Sequence, residues 1–496
     1  MKTFRIENIK SFTDSTEIEI KPITIFVGKN SCGKSSLVRF PVVLSQTFQS
    51  DVSTPLLLFG NMIDYGNFED VLYKYRGEYI SFDFSYGIEL YSQARRIYPL
   101  RRPEELWKSK NTVLKLKLAK PSKKIVVEQV CLNCEGVDIC TLTRLEGMQY
   151  KIKISNIPAV EYAIESQTEI QFNRFIPYIE VENVIAQHLV GMDMPLEKRH
   201  VLEEHYLSGA YRRIYTETNE ESKNKELDDL IYCINGINAY FLGINNLLRN
   251  DAQGLTYIGP FRENPKRTYR DIENNYGNVG VRGENTGMLL RQAYQDNGDL
   301  LQNVSEWFQK SMGYQIDIKD LGNSQFSVGV KNEQTEFDNL IDVGYGISQV
   351  LPIVTELNNR VTNTEYFSNY GKLWADKKLF IVEQPELHLH PAAQAQLADL
   401  FANHAVQKRG NLIIETHSEH MIRKLQVLIA DPECELCNDQ VNIYYVDKNS
   451  DGVSTVRKMN ITETGQFEEE WPDGFFDKSY ELSMELLKAN SKRRKE

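Results

Sequence analysis

An octapeptide near the start of the sequence has the composition of a phosphate-binding loop. Residues 28–35 read GKNSCGKS, fit the pattern G-x-x-x-x-G-K-[ST], and lie between a predicted strand and a predicted helix. Glycines let backbone N–H groups surround phosphate oxygens, and the N-terminus of a helix favours negative charge. We expect Lys34 to contact the β- and γ-phosphates of a nucleotide and the Ser35 hydroxyl to bind Mg²⁺; the flanking elements disfavour the alternative, a glycine turn without a ligand. The predicted phosphate-binding residues are Gly28, Lys29, Asn30, Ser31, Cys32, Gly33, Lys34, Ser35 and Ser36.

A second group of candidate residues follows an apolar strand in the segment LFIVEQPELHLHP, residues 379–391. Glu383, at the end of the apolar run, is expected to hold Mg²⁺ directly or through water, although a strand that simply enters a polar loop is the alternative. The next residue is Gln384, an amide that does not take up a proton at neutral pH but that can orient a water molecule. Glu386 is the nearest acid that could replace a glutamate at position 384 as the general base. Because Pro385 redirects the chain between the two positions, the distance from the Glu386 side chain to the site stays open.

Two more segments have the residue types of nucleotide contacts. His417 follows the apolar strand LIIE and is a candidate for sensing a γ-phosphate by hydrogen bonding, with a purely structural histidine as the alternative. Residues 342–349 read DVGYGISQ, so that glycines and a serine open a predicted helix, a second anion-binding arrangement. Its candidate contacts are Gly346, Ser348 and Gln349, and an ordinary glycine turn is the alternative.

These residues require an α/β framework, and the hydrophobic pattern predicts one at both ends of the chain. Strands and a helix alternate up to about residue 85 and again from about 255, while alternating strand patterns and then helical patterns lie between them. We therefore expect one nucleotide domain that an insertion divides. The predicted regions are 1–85 with the phosphate loop, 86–160 as a β-rich lobe, 161–250 as a helical insertion for dimerisation or partner binding, 251–480 with the remaining nucleotide motifs, and 481–496 as a charged tail.

Composition excludes several classes of protein. The 496 residues carry a net charge of −12, so any binding of DNA needs a local basic patch, for which the cluster of Arg262, Lys266, Arg267 and Arg270 is the candidate. The alternative is a solvated loop that pairs with acidic residues.

No uncharged apolar run of membrane-spanning length and no signal peptide are present, and seven irregularly spaced cysteines favour reduced thiols and the cytoplasm. Cys131 with Cys134 and Cys434 with Cys437 form C-x-x-C pairs, for which a shared zinc site is the less favoured interpretation.

The order of these motifs resembles that of ABC-type P-loop ATPases of the OLD-like and SMC-like branch. The segments YIGPFRENPKRTY and WPDGFFDKS resemble one bacterial subgroup within it. The resemblance implies an ATPase head with composite ATP sites in a dimer, in which Ser348 contacts the partner's γ-phosphate, His417 is the switch, and His388, His390 and Pro391 face the partner. It also implies a second acid directly after Glu383, where this sequence has Gln384. The sequence fits both a native glutamine at this position and an engineered substitution that traps ATP. Related proteins with nuclease activity carry a Toprim domain after the ATPase; because only about 50 residues follow the last predicted core strand, we expect no such domain in this chain.

The functional expectation from this resemblance is a slow ATPase that controls a separate effector. Septu, PARIS and some retron modules are similar in pairing such an ATPase with a nuclease or toxin in anti-phage defence, and a phage-encoded protein would be the trigger. The ATPase is expected to form dimers or larger assemblies without a membrane component. The alternative is an SMC-like ATPase of DNA repair or recombination that clamps DNA; an ATPase subunit of a transporter is disfavoured by the large insertion.

Overall fold

A computed structural model of the chain describes residues 1–75, 77–87, 111–155, 164–192, 194–207, 224–272, 276–359, 378–407 and 409–472. The charged tail predicted at 481–496 and the segment WPDGFFDKS from residue 473 onward lie outside these residues. The chain divides into two compact units, one formed by Met1–Ile18 with Val43–Gln253 and the other by Glu19–Val42 with Gly254–Glu496.

The strands are numbered in chain order. They are β1 (Thr3–Ile9), β2 (Phe12–Asp14), β3 (Ile18–Glu19), β4 (Ile23–Gly28), β5 (Tyr79–Tyr86), β6 (Thr112–Ala119), β7 (Val126–Cys134), β8 (Val137–Arg144), β9 (Gln149–Ile154), β10 (Ile164–Glu169), β11 (Gln171–Asn173), β12 (Ile176–Tyr178), β13 (Leu255–Ile258), β14 (Tyr269–Arg270), β15 (Gln315–Gly322), β16 (Gln325–Lys331), β17 (Asp338–Asn339), β18 (Lys378–Glu383), β19 (Gly410–Glu415), β20 (Val441–Lys448) and β21 (Ser454–Met459).

The helices are numbered in the same way. They are α1 (Lys34–Gln49), α2 (Phe68–Val71), α3 (Val181–Gly191), α4 (Leu196–Leu207), α5 (Lys225–Gly254), α6 (Thr286–Gln295), α7 (Asp299–Met312), α8 (Tyr345–Asn358), α9 (Pro391–Val406) and α10 (Glu419–Ala430). None of them, in the described part of the chain, is long and apolar enough to cross a membrane.

The second unit contains a six-stranded sheet that carries the nucleotide motifs. Its strand order is β13-β18-β19-β4-β20-β21, with parallel pairing from β13 to β20 and an antiparallel pair of β20 with β21. Every residue of β4 is buried, as expected for a parallel strand that is covered on both faces. The carboxyl ends of parallel strands meet at one edge of a sheet. This edge therefore brings together the loop after β4 and the ends of β18 and β19.

Helices cover this sheet because their apolar positions repeat at helical spacing. One core cluster contains Ile25 of β4, Ile414 of β19, Val350 of α8 and Leu397 of α9, all fully buried. A smaller antiparallel sheet in the order β14-β16-β15, with β17 paired to β16, adds Phe326 to the same cluster.

The first unit is built on an antiparallel sheet in the order β10-β9-β8-β7-β6-β5-β1-β2. In β9, buried and exposed residues alternate strictly, the pattern of a sheet with one face on the core. Strands β6 to β9 occupy the described part of the region that the sequence predicted as a β-rich lobe. In the region predicted as a helical insertion, β10, β11 and β12 precede α3, α4 and the 30-residue helix α5.

Candidate functional site

The loop between β4 and α1 has the backbone of a phosphate cradle. Gly28 has a φ of 144°, Gly33 a φ of 106° and Ser31 a φ of 60°, all on the side of conformational space that glycine adopts most readily. A Cβ atom added to Gly28 would lie 1.9 Å from the carbonyl oxygen of Val446 on the neighbouring strand β20. Glycine is therefore required at position 28 both by its φ angle and by the closeness of β20.

Lys34 lies inside this loop. Its side chain is buried, and its ammonium group donates hydrogen bonds to the carbonyl oxygens of Gly28 (3.1 Å) and Lys29 (2.7 Å). Main-chain carbonyls hold the ammonium weakly compared with a phosphate, whose charge makes the hydrogen bond stronger. The lysine is therefore placed to exchange these contacts for nucleotide phosphate oxygens.

Glu383, the predicted Mg²⁺ acid, forms a buried ion pair. Its carboxylate is 2% exposed and accepts two hydrogen bonds from Arg39 of α1, from Nε to Oε1 at 2.6 Å and from Nη2 to Oε2 at 2.7 Å. The Tyr257 hydroxyl donates a further hydrogen bond to Oε1 at 2.6 Å, and burial beside Glu383 raises the pKa of this tyrosine well above its usual range. Both carboxylate oxygens of Glu383 are thus already engaged.

Glu415 is a second buried carboxylate at the same edge, and sequence reasoning missed it. It ends β19 as Glu383 ends β18, and the two residues are in-register neighbours. The Ser35 hydroxyl donates to Glu415 Oε1 at 3.1 Å, whereas Oε2 is buried without a hydrogen-bond partner in the described residues. Burial, and next the negative charge of Glu383, raise the pKa of Glu415 to about 7. The available signal was the repeated pattern of an apolar strand that ends in glutamate.

The turn after β18 is held by main-chain contacts. Gln384 has a φ of 46°, and its backbone N–H donates to the carbonyl oxygen of Glu415 at 2.7 Å. The buried guanidinium of Arg262 donates to the carbonyl oxygens of Glu383 (2.6 Å) and Gln384 (3.0 Å). Burial lowers the pKa of Arg262 to about 10. This member of the predicted basic cluster therefore supports the turn after β18 from inside the protein.

Glu386 and His417 connect the turns after β18 and β19. The Glu386 carboxylate accepts a hydrogen bond from the backbone N–H of His417 at 2.6 Å, and burial raises the pKa of Glu386. Burial also lowers the pKa of His417 to about 4, with a smaller contribution from the charge of Lys34. The imidazole is therefore neutral at neutral pH and retains one donor and one acceptor nitrogen.

The glycine–serine motif forms a separate group at the start of α8. Ser348 is buried, and its hydroxyl donates to the carbonyl oxygen of Tyr345 at 2.9 Å. A Cβ atom on Gly346 would lie 2.7 Å from the carbonyl oxygen of His388, so the start of α8 packs against the turn before α9. A cleft of about 570 Å³ at this place is lined by residues that include Gly346, His388 and His390. Gln349 is buried as well.

Two of the three remaining cations of the basic cluster contact acidic residues. Arg267 makes a two-point ion pair with Asp342, and Lys266 pairs with Glu263 at 3.2 Å. These contacts match the interpretation of a solvated loop that pairs with acids, and they leave Arg270 as a further exposed cation.

The oxygen donors at the sheet edge fit Mg²⁺, which binds proteins through one or two carboxylates and takes other oxygens from phosphate and water. Ser35, Glu383 and Glu415 supply such donors, and the buried, unpartnered oxygen of Glu415 is one that a cation would satisfy. Within the described ranges, no group of three or more histidine, cysteine or acidic side chains is arranged to hold a metal ion by itself. None of the seven cysteines, all of which lie in the described residues, forms a disulfide, and Cys131 and Cys134 are buried in β7.

Comparison with protein families gives two matches. A family model described as an AAA ATPase domain matches residues 1–422, and a model described as a protein of unknown function, DUF3696, matches residues 436–486. No curated protein matches the chain.

Several solved structures are distantly similar. An Smc head bound to the C-winged helix domain of ScpA has 13% identity and a TM-score of 0.39, with 93% of this chain and 98% of that chain covered. An Smc head with an extended coiled coil, bound to the C-terminal domain of ScpA and derived from Pyrococcus furiosus, has 11% identity and a TM-score of 0.39, with 99% of each chain covered. The SMC head domain from Thermotoga maritima has 8% identity and a TM-score of 0.34, with 93% of this chain and 99% of that chain covered.

Proposed function

Because the chain belongs to the family of AAA ATPase domains and is an ATPase, we propose that it binds ATP with Mg²⁺ at residues 28–36 and at the ends of β18 and β19. One observation carries this proposal: the buried carboxylates of Glu383 and Glu415 lie in register beside the first turn of α1, where Ser35 and Lys34 begin the helix. Magnesium there would screen the phosphate charge, and Lys34 would neutralise more of it.

Nucleotide binding to Lys34→Ala protein tests this proposal. We expect the affinity for ATP, measured by calorimetry with Mg²⁺ present, to fall by about tenfold or more because a charge-assisted contact to phosphate is lost. Lys310→Ala is the matched control, because Lys310 is exposed on α7 of the same unit and makes no phosphate contact in this proposal. Equal ATP affinity of Lys34→Ala and wild-type protein would refute the assignment.

We further propose that hydrolysis is slow and that the ATP-bound state is long-lived. An amide stands at position 384, the Glu386 carboxylate is engaged by the His417 N–H group, and the Gln384 backbone is fixed by Arg262. The turn therefore has no acid at position 384 to take the proton of an attacking water, although the Gln384 amide can orient the water. Glu386, two residues on, keeps one buried oxygen without a hydrogen-bond partner in the described residues and is the nearest replacement base. Gln384→Glu should raise the single-turnover rate of ATP hydrolysis, and an unchanged rate would count against slow hydrolysis by this cause.

At the level of the cell, we propose that the chain is a homodimeric or larger ATP-operated scaffold that controls a separate nuclease or toxin in anti-phage defence. The motif resemblance to the OLD-like branch supports this role, and a phage-encoded trigger would act on the ATP-bound assembly. Purification from the native operon with and without ATP tests it: ATP-dependent recovery of a neighbouring effector is expected. Recovery of the ATPase alone under both conditions would oppose the scaffold role.

The DNA-clamping alternative receives less support from this chain. Three of the four residues in the basic cluster contact acids or main-chain carbonyls, and the net charge is −12. ATP-dependent, salt-sensitive binding to duplex DNA would nevertheless favour the clamp over the effector scaffold.

A further inference from the structure

Glu415 occupies a position between the two strands that carry the predicted nucleotide motifs. Strand β19 lies between β18, which ends in Glu383, and β4, which leads into the phosphate loop. In-register neighbours on parallel strands direct their side chains to the same face of a sheet, so both carboxylates face the first turns of α1. The contacts agree with this arrangement, because Ser35 bonds Glu415 and Arg39 bonds Glu383.

Residues Ser35 and Arg39 are four apart on α1 and therefore share one face of the helix. The two residues on this face make different contacts with the two carboxylates, Glu383 and Glu415. Glu383 receives both arms of the Arg39 guanidinium, which compensates its charge. Glu415 is 4% exposed and accepts one hydrogen bond, from the Ser35 hydroxyl. Its second carboxylate oxygen has no hydrogen-bond partner in the part of the chain that the structure describes.

A buried carboxylate oxygen without a donor is costly, because the charge has lost its water and gained nothing in return. The neighbouring charge of Glu383 adds to this cost, since two carboxylates at adjacent strand ends repel each other. A divalent cation bound beside the Ser35 hydroxyl would compensate the charge and satisfy the free oxygen.

We propose that Glu415 is a carboxylate ligand of the divalent cation that accompanies ATP, and that it shares this cation with Ser35. Glu383 keeps its ion pair with Arg39 and acts on the cation through water. This assignment rests on the proposed nucleotide function and adds to it the identity of the acidic ligand. It also accounts for a glutamate at the end of β19, where the motifs discussed above assign no role.

Binding of Mn²⁺ in the presence of a non-hydrolysable ATP analogue tests the assignment. The electron paramagnetic resonance signal of free Mn²⁺ decreases as the ion binds, so metal binding is measured without any turnover. Glu415→Gln keeps the size of the side chain and its hydrogen bond from Ser35 but removes the negative charge. We expect its Mn²⁺ affinity to fall by at least about tenfold, while its affinity for the analogue without metal stays within about twofold of wild type. Glu433→Gln, an exposed residue of the same unit, is the control and should keep wild-type Mn²⁺ affinity.

The outcomes separate this assignment from the proposed function. If wild-type protein binds the analogue with Mn²⁺ and Glu415→Gln binds Mn²⁺ equally well, or loses less affinity than Glu383→Gln, Glu415 is not the ligand. If wild-type protein binds neither nucleotide nor Mn²⁺, the nucleotide function itself fails. Should Glu415→Gln not fold, Glu415→Asp replaces it: the retracted carboxylate should lower Mn²⁺ affinity with little change in analogue affinity, and an unchanged Mn²⁺ affinity would overturn the proposal.

Discussion

At the scale of residues, the site is defined by how its charged groups are paired inside the protein. Arg39 compensates Glu383, Arg262 donates to main-chain oxygens of the turn after β18, and Ser35 donates to Glu415. None of these three contacts joins residues that are close in sequence. The contacts that control the chemistry of Glu383 therefore cannot be predicted from any short sequence motif.

Removal of Arg39 should leave a buried charge without compensation. We expect Arg39→Met to lower the free energy of unfolding by about 3 kcal/mol, the usual cost of deleting one partner of a buried ion pair. The double variant Arg39→Met with Glu383→Gln should regain most of this loss, since the charge that lacked a partner is gone. Urea unfolding of both single variants and the double variant measures the coupling. Additive losses would show that Arg39 does not compensate Glu383.

Asp83 gives the first unit a pH-dependent stability. Burial raises the pKa of this β5 carboxyl to about 6, against a lowering by Arg5. Because the folded pKa exceeds the unfolded one, stability is fully present below the unfolded pKa and is lost as pH rises through the folded pKa. Asp83→Asn should therefore stabilise the protein by about 1 kcal/mol at neutral pH and by less near pH 4.

Thermal unfolding at the two pH values checks this difference. Asp138→Asn is the control of opposite sign, because the hydrogen bond from Asn133 lowers the pKa of Asp138. Its substitution should cost stability at neutral pH and less in acid. An equal shift of the Asp83→Asn midpoint at both pH values would contradict the buried-acid interpretation.

At the scale of elements, the phosphate loop depends on the strand beside it. The loop itself is a contiguous strand–turn–helix motif, but its first glycine is pressed against β20, whose Val446 is 418 residues away from it in the sequence. Sheet pairing and the proposed phosphate binding thus constrain the same residue.

Gly28→Ala should disturb both functions of this residue. The new Cβ would lie 1.9 Å from a main-chain oxygen, which has to move, so β20 would separate from β4 near the loop. We expect a loss of stability of about 3 kcal/mol or more and a loss of ATP binding, measured by thermal unfolding and calorimetry. Gly277→Ala is the matched control, because its added Cβ meets no atom within 4 Å. ATP binding at wild-type affinity by a stable Gly28→Ala protein would contradict the proposed cradle.

At the scale of the whole molecule, the family assignment confirms the expected α/β P-loop ATPase, while its assembly stays a proposal. The start of α8 and the turn before α9 share a cleft lined by Gly346 and His388, and this is the surface at which we propose a second copy contributes to the nucleotide site.

ATP should therefore shift the chain from monomer to dimer, as followed by light scattering after size exclusion. Ser348→Arg places a cation and a bulky side chain at the α8 start and is expected to abolish the shift, with ATP binding to the monomer retained as the test of folding. Gln309→Arg, on the exposed face of α7, controls for the added charge. Dimerisation of Ser348→Arg with wild-type dependence on ATP would place the dimer interface elsewhere.

The phosphate loop, the Glu383 strand and the His417 segment were predictable because each is a short contiguous pattern whose residues fold together. The sequence also indicated an α/β unit divided by an insertion, since strand and helix periodicities return after residue 255. It did not indicate β10 to β12 within the insertion, where short strands gain their stability from pairing with neighbours such as β9.

By itself, the sequence determined which chemical groups this protein possesses and the local backbone that presents the phosphate loop. Only the tertiary structure decided that Glu415, 380 residues from Ser35, accepts a hydrogen bond from the hydroxyl that we propose as a metal ligand. It also showed that Arg262, predicted as part of a surface cluster of cations, is a buried support of the turn after β18. The reason is strand order: β19 enters the sheet between β18 and β4, and lateral position in a parallel sheet depends on packing between distant segments.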